Sequence, residues 1–143
     1  MKLKVIINDK EVLQKIEGDE FGLFASHEWK RLINPYTPHL TGNLERMVEY
    51  KPWEFTYLAP YALYQYNGDL YVDPYFNVGG FTPDGGITFF SRPGIKKINS
   101  GKPLNYSKEH NRKATREWDK AAIRDKQDVK LARSMQGWVN KNI

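Results

Sequence analysis

Proline and glycine concentrate between residues 68 and 103, and this stretch limits what the chain can fold into. Neither a long helix nor a central strand tolerates them in its interior. Residues 70–72 and 87–90 are strand-like. Between them stand Gly79-Gly80 and Pro83-Asp84-Gly85-Gly86, which are turn signals. A structureless insertion of this length is uncommon inside a compact domain. Residues 68–103 therefore read as a long Gly/Pro-rich β-hairpin arm, or a long loop, of the kind that is functional or orders on a partner.

The flanks are regular. Residues 3–7 are β-rich and read as a short strand, with a turn signal at Asn8-Asp9. Residues 11–16 are ambiguous between helix and strand, and Gly18 punctuates them. From Asp19, the residues Phe21, Phe24, Ala25, Trp29, Leu32 and Ile33 recur at helical spacing, with Glu28, Lys30 and Arg31 outside the stripe. Pro35 closes this helix, because the residue before proline avoids helical angles. Residues 34–44 read as a shaped loop, with Leu44 and Met47 anchoring a short helical turn. Residues 48–50 and 53–58 read as two strands around Pro52. Pro60 opens a second short helix that stops at Asn67-Gly68.

Beyond the arm, Ser107 is placed to cap a helix. Its apolar stripe is Ala114, Trp118, Ala121, Ala122, Val129, Ala132, Trp138 and Val139. Asp125 falls on that stripe and marks a kink or a break between two helices. The 143 residues suit one domain. The expected class is α+β: a small antiparallel sheet packed by an N-terminal amphipathic helix and a C-terminal helix, with residues 68–103 as an arm within residues 1–143.

Charge is uneven. Residues 1–101 carry 11 basic and 12 acidic side chains, and residues 102–143 carry 11 basic and 5 acidic. The positive excess thus sits in the last third, where Lys120, Arg124, Lys126, Lys130 and Arg133 lie largely off the apolar stripe. Such a face is either simply solvated or meets DNA phosphates or an acidic partner. No apolar run approaches the ~20 residues of a membrane span. The first residues lack the ~7–15-residue apolar region of a signal peptide, so synthesis in the cytoplasm is expected.

The absence of cysteine excludes disulfides, thiolate metal sites and thiol nucleophiles. His27, His39 and His110 are far apart in sequence, and no HExxH spacing occurs. His110-Asn111 matches half of a nuclease metal motif, two residues only. Ser26-His27-Glu28 are consecutive and point in different directions on a helix. The paired glycines fit no phosphate loop, and Asp69, Asp73 and Asp84 lack EF-hand spacing and are expected to be solvated loop acids. The expectation is no catalytic, metal or cofactor-binding residue, no cofactor and no enzyme. A small hydrolase using His39, His110 and loop acids is the least favoured reading.

Eight of the nine tyrosines lie between Tyr36 and Tyr75. In the arm, where a private core is least expected, Tyr71, Tyr75, Phe76 and Phe81 read as protein-interface candidates ahead of core packing or base stacking.

The element Asn34-Pro35-Tyr36-Thr37-Pro38-His39-Leu40-Thr41-Gly42-Asn43-Leu44 resembles the minor capsid proteins of long-tailed bacteriophages, which are similar to the tail-completion or head–tail joining class. Ala59-Pro60-Tyr61-Ala62-Leu63-Tyr64-Gln65-Tyr66-Asn67-Gly68 resembles that family's Pro-Tyr-Ala element. Ala114-Thr115-Arg116-Glu117-Trp118 resembles its closing element. The resemblance spans roughly residues 20–140, except the arm. It makes Tyr36, Pro38, Thr41, Gly42, Leu44, Pro60, Tyr61, Ala62 and Trp118 structural motif residues. It implies a virion structural protein at the neck. There it forms a ring, of six copies by analogy, between portal-side connector and tail proteins, with packaged DNA nearby and no membrane. The alternative is a DNA-binding module using the basic C-terminal helix.

Overall fold

A computed structural model describes residues 1–5, 19–39, 42–81, 83–84 and 90–142. The expectations for residues 6–18, Thr41 and residues 87–89 lie outside these. The architecture is α+β, with helices and two small antiparallel sheets. Strand β1 (Lys2–Lys4) precedes helix α1 (Asp19–Ile33), a 3-10 turn (Asn34–Tyr36) and a single helical turn, α2 (Asn43–Arg46). Strands β2 (Val48–Lys51) and β3 (Glu54–Tyr57) follow, and β3 is the centre of a sheet ordered β1-β3-β2. Leu3 and Tyr50 both stand opposite Phe55, which is fully buried.

Helix α1 carries Asp19 and Glu20 in its first turn and Lys30 and Arg31 in its last, complementing the helix dipole. Phe21, Ala25, Trp29, Leu32 and Ile33 are buried against the sheet. The β2–β3 hairpin turn presses directly on this helix. A side chain at Gly22 would meet the Pro52 Cβ at 2.7 Å and the Trp53 ring at 2.8 Å, and the Trp53 amide donates to the Gly22 carbonyl at 3.1 Å. Only glycine permits that approach. Lys30 departs from the pattern. It is 4% exposed, donates from Nζ to Asn34 Oδ1 at 2.5 Å and lies over the Tyr57 ring. Its stem packs inward while its ammonium finds polar company, and burial pushes its pKa down.

Helix α3 (Ala62–Asn67) ends at Gly68, whose φ of 76° forms the left-handed cap. Strands β4 (Asp69–Val72) and β5 (Ile98–Pro103) then pair antiparallel, Val72 opposite Ile98 and Asp69 opposite Pro103, with an irregularity between Asp69 and Tyr71. Within the intervening segment, Phe81 and Phe90 exchange backbone hydrogen bonds of 2.8 and 2.9 Å.

The C-terminal helix does not start near Ser107. Helix α4 (Trp118–Arg124) and helix α5 (Gln127–Asn142) follow an irregular strap. Strap backbone and side chains are committed elsewhere: Leu104 N–H donates to Gly68, Tyr106 Oη to Gln65, Thr115 N–H to Tyr36 and Glu117 N–H to Tyr66, each to a backbone carbonyl. The break expected at Asp125 occurs there, with Lys126 at a φ of 61°. That break resets the helical phase. Leu131 and Met135 are buried on α5, whereas Val129 is exposed. Met47 is exposed as well, and Leu44 alone anchors α2 in the core.

The core closes around Trp118, which is fully buried. It donates from Nε1 to Tyr57 Oη at 3.1 Å and stacks edge-on with Tyr57 and Tyr66. Trp138 of α5 covers Phe21 at 5.0 Å between ring centroids.

Candidate functional site

The strongest candidate lies after β4. Asp73 is 2% exposed and starts a turn. One carboxylate oxygen, Oδ1, accepts the Tyr75 and Phe76 amides at 2.9 and 3.2 Å. The Arg92 guanidinium then closes on both oxygens, Nε to Oδ2 at 2.7 Å and Nη2 to Oδ1 at 2.9 Å. This bidentate pair, with the two amides, holds the Asp73 carboxyl well below the usual carboxylate range. The sequence-based expectation of a solvated loop acid is therefore corrected at Asp73.

Arg92 does a second thing. Its guanidinium carbon lies 5.0 Å from the Tyr75 ring centroid and 4.9 Å from that of Phe76. Phe76 meets Phe81 edge-on at 5.3 Å, and Phe81 faces Phe90 at 5.8 Å. The rings stay outside nonetheless: Tyr75 is 79% exposed and Phe76 57%. Aromatic side chains on a fixed turn, backed by an arginine, have the composition and low ordering cost of interface hot spots.

Beside β4 lies a groove of about 520 Å³ lined by Pro60, Tyr61, Tyr64, Tyr71, Leu104, Lys96 and Lys97 among others. Tyr64 and Tyr71 meet edge-on at 4.8 Å, and Lys97 Nζ caps the Gly79 carbonyl. Tyr71 thus serves the groove, Tyr75 and Phe76 belong to the turn, and Phe81 lies in the bridge with Phe90 against Phe76.

The motif residues divide. Tyr36, Pro38, Leu44, Ala62 and Trp118 are buried, and Gly42 takes a φ of 83° at the start of α2. Pro60 and Tyr61 are exposed at the groove. Tyr36 Oη donates to Asp125 Oδ2 at 2.6 Å, and Tyr66 Oη to Asp119 Oδ1 at 2.6 Å.

His39 and His110, distant in sequence, come together with ring centroids 4.4 Å apart. Glu45 Oε1 sits 3.2 Å from His39 Nδ1 and accepts from Asn111 Nδ2, which also donates to the Thr37 carbonyl at 2.7 Å. The cluster joins the strap to the 37–45 loop. Ser26, His27 and Glu28 diverge as expected: Ser26 Oγ sits 2.5 Å from the Lys51 carbonyl, His27 stacks on Tyr50, and Glu28 pairs with Arg31. Among the described residues, no three His, Asp or Glu side chains are arranged to hold a metal ion, and no helix is long and apolar enough to cross a membrane.

Lys120, Arg124, Lys126, Lys130 and Arg133 are all exposed. Lys120 lies 3.5 Å from Glu117.

Sequence reasoning missed the Asp73–Arg92 pair and the Asn111 tether. Asp73-Pro74 is a turn-initiation signal that marks the first half of the pair. Nothing local marks Arg92, 19 residues later. Comparison with protein-family models, with curated proteins and with solved structures finds no match for the chain.

Proposed function

We propose that this chain is a non-catalytic structural protein of a bacteriophage virion, a neck or tail-completion subunit that joins copies of itself in a ring between the DNA-filled head and the tail. The observation that carries the reading is the Tyr75–Phe76 pair, held outside on a turn locked by Asp73 and Arg92. In this reading residues 68–103 form a protruding arm that reaches a neighbouring subunit or ring. A ring needs two different faces on each subunit that meet on rotation. The aromatic turn and the tyrosine-lined groove supply two such faces of compatible chemistry. The motif elements support the reading in two ways: Tyr36, Leu44, Ala62 and Trp118 belong to the core, and Pro60 and Tyr61 line the groove.

A stop codon at Trp53 in the source phage genome tests it. Electron microscopy of the lysate is expected to find DNA-filled heads beside separate, finished tails. Whole infectious virions would overturn it.

A further inference from the structure

Helix α5 carries a single continuous row on a face away from the core. Leu131 and Met135 are buried, and Trp138 packs on Phe21 and Phe24, which fixes the rotation of the helix. With that phase, Lys130, Arg133, Gly137 and Lys141 recur at i, i+3, i+7 and i+11, the spacing of one helix face, and Lys126 stands at the break that precedes the helix. All are exposed. At 1.5 Å per residue the helical part of the row, Lys130 to Lys141, is about 16 Å long.

The acids nearby are engaged elsewhere. Asp119 accepts Tyr66, and Asp125 accepts Tyr36 and faces Lys113 at 4.0 Å. Glu117 faces Lys120, and Glu28 pairs with Arg31 and accepts from Ser134. Asp128 lies on the opposite side of α5 at ~100° per residue. Gly137 is the second observation. A Cβ there would meet nothing within 4 Å, so packing among the described residues does not demand glycine. Glycine in a helix interior is unfavourable relative to alanine. Its effect is a gap in the row through which a partner's backbone can approach the helix.

We infer that this row binds the sugar–phosphate backbone of double-stranded DNA, Lys126, Lys130, Arg133 and Lys141 each meeting phosphate and Gly137 giving the strand room. A row of cations on an exposed helix face matches a linear polyanion, and contacts of this kind to phosphate carry no sequence information. The inference stands whether or not the chain is a neck subunit.

The test is fluorescence anisotropy with a labelled, mixed-sequence DNA duplex and the full chain. Four phosphate contacts predict a log–log salt slope of about −3.6, or about 150-fold weaker binding between 50 and 200 mM salt. The double variant Lys130→Ala/Arg133→Ala is expected to bring the slope to about −1.8. Gly137→Leu is expected to weaken binding at least about 5-fold at fixed salt, with circular dichroism unchanged, as each row contact contributes to affinity. Lys102→Ala, exposed on β5, is expected to change neither. Absence of binding at 50 mM salt, or an unchanged slope in the folded double variant, would overturn the inference. So would equal affinity for poly-L-glutamate, which would assign the row to an acidic protein.

Discussion

Tyr36 shows how one side chain joins distant parts of the chain. Its ring is buried beside α1, and its hydroxyl donates to Asp125 at the α4–α5 break. Burial first, then the neighbouring Asp125 carboxylate, pushes its pKa up to about 12, against about 10 in an unfolded chain. Between those values the unfolded chain has lost the phenolic proton and the native protein keeps it. The folded state then binds more protons, so stability falls as pH rises through that window. Tyr57 and Tyr66 are shifted in the same direction, mainly by burial. Urea midpoints are expected to fall steadily above about pH 10. Tyr36→Phe is expected to reduce that fall between about pH 10 and 12, while lowering stability near neutrality by about 1.5–3 kcal/mol through the lost bond to a carboxylate. Parallel pH profiles for the two proteins would remove Tyr36 from the account. Trp118 is the other residue on which the core turns. Its replacement by alanine empties the space between Tyr57 and Tyr66 and is expected to cost about 3–5 kcal/mol in chemical denaturation.

At the scale of elements, the strap between β5 and α4 does the work that a longer helix was expected to do. Its amides are spent on the carbonyls of Tyr36 and Tyr66, so the two motif elements are clasped by a third stretch of chain. Asn111 is the side-chain clasp, and His39 against His110 lies beside it. Asn111→Ala leaves the Thr37 carbonyl and Glu45 without that donor. The expected loss is about 1–3 kcal/mol, and hydrogen exchange should accelerate first at the Thr115 and Glu117 amides. Uniform acceleration across the chain would mean that the strap is not a separate clasp. Helix α1 was legible from its stripe because apolar spacing and burial coincide there. The hairpin around Pro52 was legible from alternation and proline. The strap was not, because Ala114 and Trp118 fit a helical spacing while the hydrogen bonds that defeat the helix come from residues 36 and 66. The burial of Leu131 and Met135 in place of Val129 has the same origin: a break at Asp125 was readable, but not the angle through which it rotates the next helix. For the candidate site, Tyr75 and Phe76 were readable as aromatics in a proline- and glycine-rich setting. The pair that fixes them was not, since Asp73 and Arg92 meet only through the fold.

Across the whole molecule, the core cluster sets residues 73–97 apart. Among the described residues, its buried members run from Leu3 to Ala62 and resume at Trp118, so none comes from the described part of the segment between the paired ends of β4 and β5. The segment has instead its own small organisation: the Asp73–Arg92 pair, the Phe81–Phe90 bridge and rings that face outward. Such internal order with exposed rings is what the proposed contact with another molecule requires. Replacing residues 73–97 by an Asn-Gly turn joins Val72 to Ile98, which already stand opposite one another, through the shortest favoured hairpin connection. The shortened chain is expected to keep its thermal midpoint within about 5 °C, the change that about 1 kcal/mol produces in a domain of this size. If the proposed ring forms through this segment, the shortened chain is also expected to sediment only as a monomer where the intact chain assembles. A shortened chain that unfolds would make the segment part of the fold. One that still assembles would move the subunit contact to the helices or to the part of the groove that remains at Pro60, Tyr61, Tyr64 and Tyr71. Tyr75→Ser with Phe76→Ser separates the chemistry from the length, because it keeps the turn and its Asp73–Arg92 lock while removing the rings. Loss of assembly in that variant as well would place the contact on the two side chains that the turn holds in solvent.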